Sequence, residues 1–160
     1  MNNSVNFIKD SILAGQPIIQ IISFEEKRIE GFLKKMCLQT LKNQNVAVWD
    51  MHNGMFRNDQ PVPETGNPVA ALNAVMRSSE PGFFIFKDLT PLIKNSTEIV
   101  RKLRECYGQL KNTKRVIFLL SPDDYFPDML KKEIDIFHFE LPEYEELETL
   151  FGGERQLSLF

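Results

Sequence analysis

The sequence predicts an α/β domain with three layers, in which helices cover both faces of a mostly parallel, five-stranded sheet. Short β-branched or aromatic runs alternate along the chain with stretches whose apolar residues recur every three or four positions. The runs 83–86 and 116–120 contain no polar residue, as strands that are covered on both faces usually do. Alternating strand and helix patterns favour parallel strands joined by helical crossovers.

A short helix over residues 5–13 is predicted to lead into the first strand, Ile18–Ile22. The helix pattern stops at Ala14-Gly15 and at Pro17. The strand then turns abruptly into a second amphipathic pattern, which predicts a helix from about Phe24 to about Lys42. Its apolar stripe consists of Ile29, Phe32, Leu33, Met36 and Leu41.

The junction between this strand and helix lacks the loop that holds phosphate in many nucleotide-binding α/β domains. Such a loop needs glycines and a lysine, as in G-x-x-x-x-G-K-[ST], but no glycine lies between Ile18 and Glu30 and no Gly-Lys pair occurs anywhere. Residues 23–26 instead match a capping box, in which Ser23 would bond the third helical N–H and Glu26 would reach back to the N-cap. A triphosphate would meet the like charges of Glu25 and Glu26 there. Lys27 and Arg28 could compensate for them, although solvated first-turn charges are the commoner case.

The rest of the chain continues the alternation. A strand at 45–49 precedes the segment 51–66, whose Asn, Gly, Pro and Asp residues predict an irregular loop. A helix follows over 68–76, with Pro68 in its first turn. The remaining elements are predicted as a strand at 83–86, a helix at 96–111, a strand at 116–120, a turn and short helix at 123–132, a strand at 134–141 and an acidic helix at 142–151.

Composition narrows the functional classes. A length of 160 residues with 42% hydrophobic and 26% charged residues is typical of one globular domain. The net charge of −3 gives no overall attraction to nucleic acid or anionic lipid. No apolar run approaches the length of a bilayer span, and residues 1–15 lack the regions of a signal peptide. We therefore expect a cytoplasmic protein without a membrane segment.

The two cysteines, Cys37 and Cys106, lie within helical patterns and form no C-x-x-C. This placement indicates reduced core thiols rather than a disulfide or a metal site.

Several polar residues invite a catalytic interpretation without supporting one. Asp50 and His52 follow Trp49, but no nucleophile or second acid–base group stands at a known spacing, so core packing followed by a loop is the better interpretation. His138 alternates with aromatic residues and is expected on a strand surface. Asp123 and Asp124, after Ser-Pro, indicate a turn.

One set of basic residues could contact a DNA backbone, although charges on an outer helix face are usually only solvated. Direct DNA contact therefore stays uncertain at this stage. The set comprises Arg101, Lys102, Arg104, Lys111, Lys114 and Arg115.

Five short motifs occur in a fixed order: Val-Trp-Asp (48–50), Gly-Phe-Phe-Ile-Phe-Lys-Asp (82–88), Ile-Val-Arg-Lys-Leu-Arg (99–104), Val-Ile-Phe-Leu-Leu-Ser-Pro (116–122) and Glu-Leu-Pro (140–142). In this order, over roughly residues 8–151, the chain resembles the N-terminal domain of an AAA ATPase family found in cyanobacteria and plastids. That domain is a degenerate ATPase-like module that precedes the true ATPase domain.

The resemblance implies an AAA-like or P-loop-like core without a phosphate loop, in which Asp88 occupies the Walker B position and Ser121 lies near a sensor position. Ser23, Asp88 and Ser121 would then be vestigial nucleotide-site positions. Leu89 stands where a catalytic Glu usually follows the Asp, and the Walker A motif is missing. Asp88 could hold Mg²⁺ through water, but without a phosphate partner a turn or cap role is favoured. We therefore expect no catalytic residue, no cofactor and no metal.

The last five residues, Gln156, Leu157, Ser158, Leu159 and Phe160, match the Q-L-[SD]-L-F motif completely. Bacterial polymerases and repair factors use this motif to dock onto the β sliding clamp. The resemblance implies that Gln156 enters a polar subsite, that Leu157 bridges, and that Leu159 and Phe160 fill an apolar pocket. Full burial of each apolar side chain is worth roughly 1.5–3 kcal/mol before ordering costs, which suggests micromolar binding. In the alternative, the apolar residues fold back onto the domain as an edge strand.

The predicted organisation is therefore a degenerate AAA-like domain at 1–151 and a flexible clamp-binding tail at 152–160, after Gly152-Gly153. The leading hypothesis is a non-hydrolytic module of a bacterium or phage, bound to the β sliding clamp and acting in DNA replication, repair or their regulation. A second hypothesis is a partner or regulatory domain of a separate AAA ATPase, with the tail in a structural role. A third is a nucleotide-binding enzyme with an unorthodox site.

Overall fold

A computed structural model describes residues 3–138 as a seven-stranded sheet with helices on both faces. The strands are, in chain order, β1 (Ile18–Ile22), β2 (Val46–Asp50), β3 (Gly54–Arg57), β4 (Gln60–Pro61), β5 (Gly82–Lys87), β6 (Arg115–Ser121) and β7 (Asp135–His138). The helices are α1 (Asn3–Leu13), α2 (Glu26–Leu41), α3 (Pro68–Arg77), α4 (Thr90–Ile93) and α5 (Thr97–Leu110), and Asp128–Leu130 forms a 3₁₀ turn.

The strand order is β4-β3-β2-β5-β6-β1-β7. The five strands from β2 to β7 in this order run parallel, which confirms the predicted α/β class and the mostly parallel sheet. The predicted number of strands was wrong, because β3 and β4 extend the sheet beyond β2 in the antiparallel direction.

Two hydrophobic clusters lie on opposite faces of the sheet and confirm the three-layer arrangement. One packs α1 and α2 against the sheet, and the other packs α3, α4 and α5 against it. Neighbouring residues of β1 divide between them, since Ile18 belongs to the second cluster and Ile19 to the first. A strand buried on both faces is largely apolar, which explains why these strands were predictable, although β1 also buries the polar side chain of Gln20.

The predicted irregular loop over 51–66 is wrong, because this segment contains the β3–β4 hairpin. Asn58 and Asp59 form its turn, with φ angles of 51° and 63°. Positive φ at both central positions is the geometry of the tight turn that suits hairpins best, and Asn and Asp adopt it more readily than most residues. The Asn and Asp residues that suggested an irregular loop therefore form the turn of a hairpin.

Thr65 fixes this hairpin to the core. Its hydroxyl oxygen accepts a hydrogen bond from Met55 N at 3.0 Å, and its carbonyl oxygen accepts one from Trp49 Nε1 at 2.7 Å. Trp49 is fully buried and lies 5.4 Å from Phe86 between ring centroids. The predicted packing role of Trp49 is thereby confirmed.

Cys37 and Cys106 are buried free thiols in α2 and α5. They belong to the clusters on opposite faces of the sheet, so no disulfide can join them. The predicted core positions of the two cysteines are confirmed.

Within residues 3–138, no helix combines the length and apolar character that crossing a bilayer requires. The predicted continuation of the last strand to residue 141, the helix at 142–151, the boundary at 151 and the clamp motif lie outside the described residues.

Candidate functional site

The carboxyl ends of the parallel strands meet at one edge of the sheet, hereafter the carboxyl edge, where open α/β sheets usually bind ligands. Ser23 N donates to Ser121 O at 3.1 Å, and Asp88 N donates to Leu120 O at 2.9 Å. The chain thus brings the three residues that the resemblance assigns to a vestigial nucleotide site, Ser23, Asp88 and Ser121, to adjacent strand ends.

The predicted capping box at the start of α2 is wrong. The Ser23 hydroxyl accepts a hydrogen bond from Glu25 N at 3.0 Å, two residues along the chain, rather than from a helical N–H. Glu25 is the N-cap, and its carboxylate binds Arg28 at 2.8 Å without capping the helix. A serine that bonds its own neighbouring backbone competes with the helix start, which explains why α2 begins later than predicted.

Glu26 does not reach back to the N-cap because it binds a lysine on β5. Lys87 Nζ lies 3.2 Å from Glu26 Oε1 and 2.7 Å from Glu30 Oε1. Glu26 and Glu30 are four residues apart, so α2 presents both carboxylates on one face. We call these three residues the Lys87 cluster. It joins the first turns of α2 to the carboxyl end of β5.

The electrostatics of the Lys87 cluster favour the charged forms. Burial acts to lower the Lys87 pKa, but hydrogen bonding and attraction to Glu30 and Glu26 outweigh it and raise that pKa. Burial likewise acts to raise the Glu30 pKa, but Lys87 and Lys34 outweigh it and lower that pKa. Lys87 and Glu30 therefore carry charge at neutral pH, and their charges partly neutralise one another.

At the start of α2, the Lys87 cluster has negative charge where a phosphate loop has positive charge. In G-x-x-x-x-G-K-[ST], backbone N–H groups and a lysine at the helix start surround the anion. Here the helix start supplies carboxylates, and the lysine lies at the end of β5, already bonded to them. Sequence reasoning missed Lys87. The signal that could have found it was a lysine at a strand end together with glutamates at i and i+4 in the helix that packs beside it.

Asp88 lies in an exposed turn directly after β5 with a φ of 57°. The next residue, Leu89, is completely buried in the core and is the N-cap of α4, a short helix that the sequence did not predict. The residue after Asp88 is therefore a buried leucine that packs in the core, and not a glutamate with a carboxylate.

Ser121 and Asp123 form consecutive turns beyond β6. The buried Ser121 hydroxyl accepts a hydrogen bond from Asp123 N at 3.1 Å, and Asp123 Oδ1 accepts one from Tyr125 N at 2.8 Å. That backbone hydrogen bond, together with Lys94 at 2.9 Å, lowers the Asp123 pKa. The predicted turn at Asp123 is confirmed.

Asp50 and His52 form a turn rather than an acid–base pair. Asp50 Oδ1 accepts hydrogen bonds from the backbone N–H groups of His52 and Asn53 at 2.9 and 2.8 Å. Burial acts to raise the Asp50 pKa, but the hydrogen bonds from Asn53 and His52 outweigh it and lower that pKa. His138 is exposed on β7, as predicted.

Three of the six basic residues considered for DNA contact bind other groups of the protein. Arg115 Nη1 donates to the carbonyl oxygens of Met76 and Ser78 at the end of α3, and so caps that helix. Lys102 binds Glu105 at 3.0 Å, and Arg104 lies 3.6 Å from Glu133. The described contacts therefore do not favour a shared phosphate-binding face.

Phe24 is the most exposed large apolar side chain at the carboxyl edge, with 89% of its surface accessible. It lies between Ser23 and the N-cap Glu25, where a nucleotide-binding domain would have its loop. Within protein interfaces, aromatic side chains are frequent among the residues that contribute most of the binding energy.

Among residues 3–138, no three His, Cys, Asp or Glu side chains converge as metal ligands. The donor set at the carboxyl edge is likewise a poor fit for Mg²⁺ with a nucleotide, since Glu26 and Glu30 are paired with Lys87.

Residues 4–139 match the family described as "SpoVK-like AAA ATPase, N-terminal domain". Similar proteins carry the description "uncharacterized AAA domain-containing protein ycf46". The Guillardia theta protein is 32% identical over 152 residues, covering 89% of this chain and 29% of the relative. The Gracilaria tenuistipitata var. liui protein is 28% identical over 133 residues, covering 81% and 27%. The Trieres chinensis protein is 31% identical over 139 residues, covering 84% and 27%. The chain spans less than a third of the length of these relatives.

Proposed function

Since the chain belongs to the family of SpoVK-like AAA ATPase N-terminal domains, we propose that it is a non-catalytic interaction module that binds the bacterial β sliding clamp. Through the clamp, the module acts in DNA replication, repair or their regulation. The observation that carries this proposal is the complete match of residues 156–160 to Q-L-[SD]-L-F.

The carboxyl edge supports the non-catalytic part of the proposal. It has no glycine loop at the β1–α2 junction, and the acidic start of α2 is bonded to Lys87. Leu89 is buried after Asp88, so no carboxylate is available there to orient a water molecule for hydrolysis. A polyphosphate would have to displace a formed ion pair and approach two carboxylates.

The chemistry of the motif supports the choice of partner. Leu159 and Phe160 supply two large apolar side chains for one pocket, and anchors of this kind carry most of the energy of a small interface. Gln156 can both donate and accept hydrogen bonds at a polar rim. Such a peptide binds with micromolar affinity, which suits an exchangeable clamp partner.

A titration of the whole chain into purified β clamp tests this proposal. Leu159→Ala combined with Phe160→Ala should reduce the affinity at least tenfold, while Leu13→Ala, which changes an exposed leucine in α1, should leave it unchanged. Unchanged binding by the double variant would refute the motif as the binding element.

A second candidate function is that of a partner domain for an AAA ATPase. The family description favours it, because the matching family is the N-terminal domain of an AAA ATPase. The exposed Phe24 offers an anchor at the carboxyl edge. Co-purification with such an ATPase that survives Leu159→Ala plus Phe160→Ala but is lost in Phe24→Ser would support this candidate over clamp binding.

A further inference from the structure

Within residues 3–138, β7 is the strand at one edge of the sheet. Among the described strands it pairs only with β1, in parallel. The opposite edge of the sheet is β4, which has two residues and contains Pro61, so it is poorly suited to further pairing. β7 has four residues and no proline, and its sequence is Asp-Ile-Phe-His.

Apolar side chains are accessible on both faces beside this edge. Phe137 packs partly against the cluster of α1 and α2, and Ile136, which alternates with it, is 40% exposed on the other face. Phe7 of α1 is 56% exposed. Together these side chains line a groove of about 570 Å³ between α1 and the start of β7, which Asp10 and Asp135 also line.

The sequence after His138 contains a short apolar segment, residues 156–160, that could add to β7 as a strand. In an extended strand, Leu157 and Leu159 project to one face and Phe160 to the other, so the segment offers apolar side chains to both faces of the β7 edge. Arg155 precedes them and complements Asp10 and Asp135, which together outnumber the one lysine of the groove, Lys111. Residues 139–155 span about 55 Å when extended, so the connection is long enough for a return to β7.

We propose that residues 156–160 dock by strand addition on the side of β7 that faces away from β1, and thereby compete with the sliding clamp. This inference rests on the proposed function, because Leu159 and Phe160 cannot occupy the groove and the clamp pocket at the same time. An attached segment has an effective concentration on the order of millimolar. A groove affinity of only about 0.1 mM would then keep the motif docked in about nine molecules of ten and weaken apparent clamp binding about tenfold.

Amide hydrogen exchange of the full chain tests the docking in the absence of clamp. The β7 amides that point away from β1 should exchange about tenfold faster in Leu157→Ser plus Leu159→Ser plus Phe160→Ser than in the unaltered chain. Equal exchange would overturn the proposal, because the edge would then be free or covered by residues 139–155.

Clamp titration tests the competition. Phe7→Ser plus Ile136→Ser removes two exposed side chains of the groove and should tighten clamp binding about tenfold. Phe56→Ser is the matched control, since Phe56 is 39% exposed on β3 near the other end of the sheet, and it should change nothing. Unchanged affinity in the groove variant, or an equal gain in the control, would overturn docking at β7.

A synthetic peptide of residues 152–160 separates this proposal from the proposed function. Failure of the free peptide to bind the clamp refutes clamp binding, and the exchange experiment still decides whether the motif docks on β7.

Discussion

Lys87 Nζ lies 2.7 Å from Glu30 Oε1, an ion pair that joins the carboxyl end of β5 to the second turn of α2. The side chains of Lys87 and Glu30 are only 18% and 22% exposed, so the pair is shielded from water far more than a surface ion pair. It holds the helix start that, in a nucleotide-binding relative of this fold, a bound phosphate would hold.

Lys87→Met should destabilise the protein by about 1–3 kcal/mol, because it removes the partly buried cation that binds both Glu26 and Glu30. Urea unfolding measures the loss. Lys34→Met is the matched control, since Lys34 binds the same Glu30 at 3.3 Å from a 46% exposed position and should change stability by no more than about 0.5 kcal/mol. Equal effects of the two substitutions would contradict a special role for Lys87.

Stability should depend on pH through both members of this pair. The Glu30 pKa is lowered in the folded protein from 4.5, so its contribution is present above that value and is lost as pH falls through the folded pKa. The Lys87 pKa is raised from 10.5, so its contribution is present below that value and is lost as pH rises through the folded pKa.

Urea unfolding at a series of pH values tests this dependence. Glu30→Gln should show a shallower loss of stability below about pH 4.5 than the unaltered chain, because its amide does not titrate. Parallel curves for the two proteins would show that Glu30 contributes nothing to acid sensitivity.

Millimolar Mg-ATP should leave the melting temperature unchanged, because the acidic start of α2 opposes a polyphosphate. Binding with a dissociation constant tenfold below the nucleotide concentration would add about 1.4 kcal/mol of stability and raise the melting temperature by several degrees. A shift of that size would favour the hypothesis of a nucleotide-binding enzyme.

The two thiols should resist modification in the native protein. Burial raises the pKa of Cys37 to about 11 and that of Cys106 to about 12. At pH 8 the thiolate fraction of Cys37 is then on the order of one in a thousand. A thiol reagent should label neither residue until guanidinium unfolds the chain, after which both should react. Rapid native labelling of one thiol would show that its helix opens locally.

The sequence was sufficient for the parallel strands because burial on both faces left an uninterrupted apolar run, as in β5 and β6. The starts of α3 and α5 were also predictable, since Asn67 and Ser96 are their N-caps and accept ordinary hydrogen bonds from helical N–H groups. These features are local, so a single stretch of chain contains the whole signal.

The start of α2 was not predictable in the same way, because one local contact and one distant contact replace the capping box. Ser23 accepts a hydrogen bond from Glu25 N, and Glu26, which has the spacing of a capping residue, binds Lys87 at the end of β5. The β3–β4 hairpin was missed for a different reason: a turn built on Asn58 and Asp59 has the same composition as an irregular loop.

Isothermal titration of the full chain into β sliding clamp tests the central claim most directly. The account predicts micromolar binding that falls at least tenfold in Leu159→Ala plus Phe160→Ala and is kept in Leu13→Ala. Absence of heat with the unaltered chain and with the synthetic peptide of residues 152–160, or equal affinity in all three proteins, would contradict it.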